Sequence, residues 1–195
     1  MPPTTGNSYS GCVSFTGENK KVKDKVMNNQ IKLDTEKNNS IFLSNDVLKS
    51  LVNKFGDKVK IVYDKHNRSK IMTVPENLVE TAIFLRDNFG FDHAESASGT
   101  DYPKENVIEI NYHLGSYSNS DLLSYVVVLT TRVDRNDPKS NSLINILPSV
   151  ELFERETYEM LGVYFIGHPR NERFLLPEDW ADIPPLRKDF RSKGR

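Results

Sequence analysis

The run LLSYVVVLTTRV at Leu122–Val133, nearly continuous in apolar and β-branched residues, is the feature that most constrains the fold. Valine, threonine and leucine without glycine or proline over such a length favour a strand that is covered on both faces. A strand of this kind lies inside a sheet rather than at its edge. We therefore predict that Leu122–Val133 contributes the central strand of a sheet.

Helix and strand patterns precede this run. Ser44 or Asn45 can cap a helix that ends at Gly56 and places its apolar residues on one face, namely Val47, Leu48, Leu51, Val52 and Phe55. The segments KVKIVYD and SKIMTV then predict a hairpin that turns at Asn67 and Arg68. A second helix is expected to begin at Pro75 and to end near Gly90.

The remaining elements complete an α+β pattern. NVIEINYHL from Asn106 alternates as a strand, and DRNDPKSNS predicts a loop before a third helix at Glu151. The order αββαββα predicts an α+β fold with helices packed on a mixed, mostly antiparallel sheet. We assign residues 40–165 to this core domain. Residues 1–39, rich in Asn, Lys, Ser, Gly and Thr, are expected to be a flexible N-terminal extension, and residues 166–195 an extended C-terminal tail.

Composition excludes several classes of protein. A formal net charge of −1 argues against a nucleic-acid-binding protein, which needs a basic excess. A single cysteine, Cys12, cannot form an internal disulfide or an all-cysteine iron–sulfur cluster, and the four histidines lack metal-ligand spacing. No apolar run approaches the roughly 18 residues of a membrane helix. We expect a cytosolic chain with no metal or cofactor of its own.

One carboxylate of the third helix is out of place. On a helical wheel Arg155 can pair with Glu151 and Glu159 on a charged face, whereas Glu156 falls inside the apolar arc between Leu152 and Met160. Two interpretations stay open. Glu156 either remains exposed to solvent at the edge of a narrower apolar stripe or, as we favour, is buried against a cation. That cation would come from a partner chain or from a tail arginine, namely Arg170, Arg173 or Arg187.

The tail predicts a segment laid along a surface. Its prolines forbid a continuous helix, and aromatic and aliphatic residues recur between alternating charges. The surface could be the domain itself or a second subunit. Because about 30 extended residues span roughly 100 Å, length favours a second subunit. For His168, a His-Pro turn whose ring binds a backbone carbonyl is favoured over a catalytic base, since no orienting carboxylate or nucleophile is evident.

ERETYEMLGVYFIGHP followed by LRKDF resembles the signature of the hydrophilic 30-kDa-type subunit of respiratory complex I, known as the C subunit in bacteria and the J subunit in chloroplasts. The DYPKENVIE segment looks most like that of members from archaeal assemblies, including deazaflavin-dependent dehydrogenases. Asn171, Glu172 and Ile183-Pro184 depart from the usual pattern. The resemblance implies a partner interface at these residues: Glu154, Arg155, Glu156, Glu159, Gly162, Gly167, His168, Pro169, Arg173, Trp180, Pro185, Leu186, Arg187, Lys188 and Asp189.

The resemblance also implies a function. It predicts a non-redox subunit of the peripheral arm of an NADH (or deazaflavin):quinone oxidoreductase that translocates ions. Its partners would be the larger, 49-kDa-type quinone-site subunit, which the tail wraps, and other peripheral-arm subunits. Iron–sulfur clusters and quinone would belong to those subunits, and contact with the cytoplasmic side of the membrane would be indirect. The alternatives are a stand-alone acid–base enzyme using Glu156, His168 and Asp189, or a generic adaptor module.

Overall fold

A five-stranded sheet forms the centre of the computed structural model, which describes residues 45–180 and 183–191. The strand order is β1-β2-β5-β4-β3, and every neighbouring pair is antiparallel except β2 and β5. The predicted α+β fold with a mixed, mostly antiparallel sheet is therefore confirmed. The bounds of the strands are β1 Val59–Lys65, β2 Arg68–Thr73, β3 His93–Tyr102, β4 Val107–Gly115 and β5 Val126–Asp134.

The apolar run does contribute the central strand. β5 lies between β2 and β4, and Leu129 is level with Ile71 on one side and Tyr112 on the other. All three side chains are fully buried. The predicted hairpin also forms, with His66 and Asn67 between β1 and β2, so the turn lies one residue earlier than expected.

In the described part of the chain, three α-helices accompany the sheet: α1 over residues 45–55, α2 Leu78–Phe89 and α3 Glu151–Leu161. The predicted stops are correct, because α1 gives way at Gly56 and α2 ends at Gly90, which has a left-handed φ of 78°. The rings of Phe55 and Phe84 meet edge to face and join α1 to α2. Most of the apolar face predicted for α1 is buried, but Val52 is exposed.

Strand β3 is missing from the sequence-based order. Its sequence, HAESASGTDY, is rich in Ala, Ser and Gly, which have low strand propensity. β3 nevertheless pairs with β4 along its whole length. Its small residues are explained by α3, which packs against this strand and needs room for its own side chains.

The segment predicted as a loop before α3 also contains a strand. β6 (Lys139–Asn141) pairs in parallel with β7 (Tyr164–Ile166), so α3 connects the two strands of a second, small sheet. Three residues are too few to give a recognisable alternation in sequence. The predicted flexible extension over 1–39 lies outside the described residues and stays a prediction.

Candidate functional site

Helix α3 buries three of its five charged residues and exposes an apolar one. Glu154, Arg155 and Glu159 are buried, whereas Leu152 is 53% exposed and Glu156 is exposed. The expectation that a tail arginine buries Glu156 is therefore wrong, whereas a cation supplied by a partner chain stays a prediction. The orientation of α3 depends on the tertiary structure, because one side of the helix faces β3 and another is covered by the tail. A helical wheel contains neither contact and could not predict which side is buried.

The three candidate arginines have other partners. Arg170 pairs with Glu151, Arg173 donates to the carbonyl of Trp180 at 2.8 Å, and Arg187 donates to the carbonyl of Leu161 at 2.8 Å. Within the described parts of the chain, Glu156 has no hydrogen bond or ion pair assigned to it.

Glu154 is the most buried carboxylate of the region. It accepts hydrogen bonds from the Tyr112 hydroxyl at 3.0 Å and the Leu143 backbone N–H at 2.9 Å, and from the Ser142 hydroxyl. Burial raises the pKa of Glu154 above its ordinary value, and the three donors offset only part of that effect. Burial, and next the neighbouring Glu154 carboxylate, raise the pKa of the Tyr112 hydroxyl. Glu154 thus joins α3 to β4 and to the segment after β6.

Arg155 binds the tail rather than its own helix. Its guanidinium donates to the carbonyls of Glu172 at 3.4 Å and Arg173 at 3.1 Å, and lies 4.7 Å from the ring centroid of Phe174. The predicted ladder from Arg155 to Glu151 and Glu159 is therefore wrong. Main-chain acceptors and an aromatic face replace it once the tail folds over the helix.

Glu159 binds the next part of the tail. Its carboxylate accepts the backbone N–H groups of Phe174, Leu175 and Leu176, at 3.4, 2.9 and 2.7 Å. A carboxylate that accepts several main-chain donors fixes the conformation of the segment that supplies them. Arg155 and Glu159, one turn apart on α3, therefore hold consecutive carbonyls and amides of the same tail segment.

His168 binds main chain through both ring nitrogens. Its Nδ1 accepts from the Arg170 N–H at 3.1 Å, which leaves Nε2 to donate to the carbonyl of Glu151, also at 3.1 Å. The prediction that this ring binds a backbone carbonyl is confirmed. The turn begins at Gly167, whose φ of 87° suits glycine, and Pro169 is exposed.

The last described part of the tail closes on the end of α3. Gly162 ends the helix with a φ of 77°, and a Cβ there would lie 3.1 Å from Pro184 and 3.2 Å from the Arg187 guanidinium. The Leu186 N–H donates to the Met160 carbonyl at 3.0 Å, beside the bond from Arg187 to Leu161. These contacts satisfy carbonyls that a helix C-terminus otherwise leaves open.

A tail clamp of Asp101, Arg135 and Asp189 fixes the same segment to the sheet. Arg135 binds the buried Asp101 through two hydrogen bonds of 2.7 and 3.1 Å and pairs with Asp189 at 2.8 Å. Asp101 also accepts the backbone N–H of Lys188 at 2.8 Å. The Arg135 guanidinium lowers the pKa of both carboxyl groups, and they raise the pKa of Arg135. The clamp uses the side chain of Asp189 and the main chain of Lys188.

The sequence did not identify the residues of the domain that bind α3 and the tail. Tyr112 and Ser142 bind Glu154 of α3, and Asp101 and Arg135 bind the tail. They belong to β4, β3 and loops, where a single polar residue has no distinctive spacing. The one signal for Asp101 in the sequence is that a charged residue follows a run of small residues, in SASGTDY. Trp180 stacks on Phe190 at 5.9 Å between ring centroids, and Pro185 is half-buried.

The predicted site residues do not converge as an acid–base centre. His168 is engaged by main chain, Asp189 by Arg135, and Glu156 is exposed to solvent. Over residues 45–180 and 183–191, no cluster of three or more His, Cys, Asp or Glu side chains could hold a metal ion. None of the helices in this part of the chain is long and apolar enough to cross a membrane.

What the geometry defines is an α+β domain whose C-terminal tail is docked on its own third helix while apolar side chains remain exposed on both. The sequence model described as "Respiratory-chain NADH dehydrogenase, 30 Kd subunit" matches residues 71–195, which include α3 and the whole tail. The chain belongs to this family.

Relatives carry the names of subunits of oxidoreductase complexes. The chain is 31% identical over 145 residues to the C subunit of F(420)H(2) dehydrogenase from Methanosarcina mazei, covering 74% of this chain and 89% of that one. It is 42% identical over 118 residues to the C subunit of NADH-quinone oxidoreductase from Roseiflexus sp., covering 59% of this chain and 65% of that one. An archaeal relative was expected and is present.

Two solved structures share the fold. A chain of the membrane-bound sulfane sulfur reductase, an archaeal respiratory membrane complex, aligns with a TM-score of 0.66 and 22% identity, over 76% of this chain and 85% of that one. A trypsin-resistant fragment of Nqo5 aligns with a TM-score of 0.54 and 21% identity, over 64% of this chain and 98% of the fragment.

Proposed function

We propose that the chain is a structural subunit in the peripheral arm of a complex I-type oxidoreductase, where it docks the larger quinone-site subunit. The observation that carries this proposal is the family match over α3 and the tail, the region in which charged residues serve to fix a surface. Electron transfer from NADH or a reduced deazaflavin to a quinone, coupled to ion translocation, is then performed by clusters and quinone held in partner subunits. The chain itself contributes no redox group and lies on the cytoplasmic side of the membrane.

The conformation of the tail refines how docking takes place. Several of its main-chain groups, and the side chains of Arg170, Arg187 and Asp189, already bind the domain. Its side chains Phe174, Leu175, Ile183 and Leu186 remain exposed. Apolar groups held on an ordered segment bind a partner at a lower entropic cost than those of a loose chain. The tail therefore presents a preformed surface to the quinone-site subunit.

A native pull-down tests this function. The tagged full chain, co-expressed with the 49-kDa-type subunit of the same organism, should retain that subunit. A Leu175→Ser/Ile183→Ser variant should retain several-fold less, whereas Leu123→Ser, an equally exposed leucine far along the chain, should behave as wild type. Failure of the wild-type chain to bind the subunit would contradict the proposal.

The pulled-down complex also separates this function from a generic adaptor. If the chain is a peripheral-arm subunit, complexes isolated from native membranes should show the visible absorbance of iron–sulfur clusters. Partners without such absorbance would favour the adaptor hypothesis.

A further inference from the structure

An exposed stripe on α3 has the inverse of the polarity expected for a water-facing helix surface. Leu152 and Met160 lie one turn before and one turn after Glu156 on the same face of the helix. The backbone N–H of Leu186 in the tail donates to the carbonyl of Met160. We name Leu152, Glu156, Met160 and Leu186 the α3 stripe. Leu152 and Leu186 are 53% and 57% exposed, and Met160 is partly exposed. Meanwhile three charged residues of the same helix are buried.

This inversion distinguishes the stripe from scattered exposed leucines, which are common on protein surfaces. A solvated helix places its charged residues outward and its apolar residues inward. Here the outward row runs apolar, acidic, apolar over about 12 Å of helix and is continued by Leu186 of the tail. Such a row fits an occupant that buries the apolar residues and supplies a cation opposite the central carboxylate.

We propose that the α3 stripe is the binding site for an apolar segment of the partner subunit that carries one lysine or arginine opposite Glu156. The proposal rests on the function proposed above, because it specifies the face of this chain on which the quinone-site subunit docks. A cation brought by the partner would pair with a carboxylate that has no assigned partner in the described residues. Apolar contacts to Leu152, Met160 and Leu186 would exclude water from that pair and strengthen it.

Charge argues against a second copy of this chain as the occupant. In a two-fold pairing through α3, Leu152 of one copy would face Met160 of the other, and Glu156, midway between them, would face its own equivalent. Two carboxylates brought together as water is excluded repel each other. A two-fold pairing of copies through α3 is therefore disfavoured, and the proposed occupant carries the opposite charge.

The affinity of the full-length chain for the purified 49-kDa-type subunit, measured by isothermal titration, tests the stripe. Glu156→Arg and Leu152→Ser should each weaken binding about tenfold or more, because one opposes a buried cation and the other removes an apolar contact. Glu156→Gln should weaken it less than Glu156→Arg but measurably. Each variant should melt within a degree or two of wild type, since both side chains are exposed.

Matched controls keep the result specific. Leu123→Ser removes a leucine that lies outside the α3 stripe and is 59% exposed. Glu76→Arg reverses an exposed charge in the short turn Pro75–Asn77, which precedes α2. Both should bind as wild type. Equal weakening by the controls would overturn the proposal.

The remaining outcomes are also distinct. If the wild type binds and the stripe variants bind equally well, the stripe is not the interface although the proposed function stands. If Glu156→Gln and Glu156→Arg bind as wild type while Leu152→Ser does not, the partner supplies no cation and the proposal is wrong. A homodimer that sediments intact and is dissociated by Leu152→Ser would identify a second copy as the occupant instead. If the wild type does not bind, the proposed function fails first.

Discussion

Leu161 of α3 packs so closely over Gly99 of β3 that a Cβ on Gly99 would lie 2.2 Å from the Leu161 Cδ1 atom. The same Cβ would lie 3.2 Å from Thr157, one turn earlier in the helix. A methyl group could occupy that position only if the Leu161 side chain or α3 shifted. Gly99 therefore allows the helix that holds the tail to pack closely on the sheet.

This contact predicts a non-additive pair of substitutions. Gly99→Ala should reduce the free energy of unfolding by about 1–3 kcal/mol through overpacking. Leu161→Ala should reduce it by about 2–5 kcal/mol by leaving a cavity. The double variant should lose less than the sum, because each change relieves the defect that the other creates. Urea unfolding of all four proteins provides the measurement, and strict additivity would contradict the close packing.

Glu154 should be replaceable by an amide but not by a methyl group. Glu154→Ala leaves the Tyr112, Ser142 and Leu143 donors without their acceptor and should cost about 3 kcal/mol of stability. Glu154→Gln keeps an acceptor oxygen and removes the buried charge, so it should cost less. Thermal melting at neutral pH would compare the two variants, and equal losses would mean that the carboxylate charge itself is required.

The raised pKa of Glu154 gives this contribution a definite sign with pH. A carboxyl group whose pKa is higher in the folded than in the unfolded protein contributes full stability below its unfolded value, near 4.5. That contribution declines as the pH rises through the raised, folded-state pKa. Glu154→Gln should therefore flatten the decline in stability above pH 4.5. An unchanged pH profile would show that Glu154 titrates as an ordinary carboxyl group.

The tail clamp should open in acid. Arg135 lowers the pKa of Asp101 and of Asp189, so the stability they contribute is full above their unfolded value, near 3.8, and is lost as the pH falls through the lowered values. Trp180, the single tryptophan, stacks on Phe190 beside the clamp and reports on the opening through its fluorescence. We expect a red shift of emission below pH 4.

Removal of the clamp cation should open the tail at neutral pH. Arg135→Gln leaves the buried Asp101 without its guanidinium partner, so tail cleavage by trypsin should be several-fold faster than in wild type. Arg132→Gln is the matched control, because Arg132 pairs with Glu109 of β4 and Glu105 of the β3–β4 turn and not with the tail. Equal acceleration in both variants would indicate general destabilisation instead of clamp release.

Arg187 and Glu156 should separate stability from assembly. Arg187→Ala removes a hydrogen bond to the Leu161 carbonyl and should cost roughly 1 kcal/mol of stability in addition to weakening assembly. Glu156→Ala should leave the melting temperature unchanged and weaken assembly alone, since its side chain is exposed. Calorimetry of the isolated chain and pull-down yield of the complex are the two measurements. A loss of stability in Glu156→Ala would contradict the assigned exposure.

Local patterns allowed the central strand β5, the β1–β2 hairpin and the ends of α1 and α2 to be predicted from sequence. In each case the signal is carried by neighbouring residues: an apolar run, an alternation, or a glycine that accepts positive φ. β3 was missed because its composition serves the helix above it, since Gly99 is there to admit Leu161 and Thr157. β6 was missed because it is too short to show a period.

The sequence by itself determined the fold class, the family resemblance and the presence of a tail too rich in proline to be a helix. It could not determine which face of α3 is buried, because the helix has a charged face and an apolar face and either can be covered by the rest of the structure. The tertiary structure decided this by placing the tail over Arg155 and Glu159 and β3 under Leu161, which leaves Leu152 and Glu156 outside. Burial of those charges is tolerable because main-chain groups of a distant segment satisfy them.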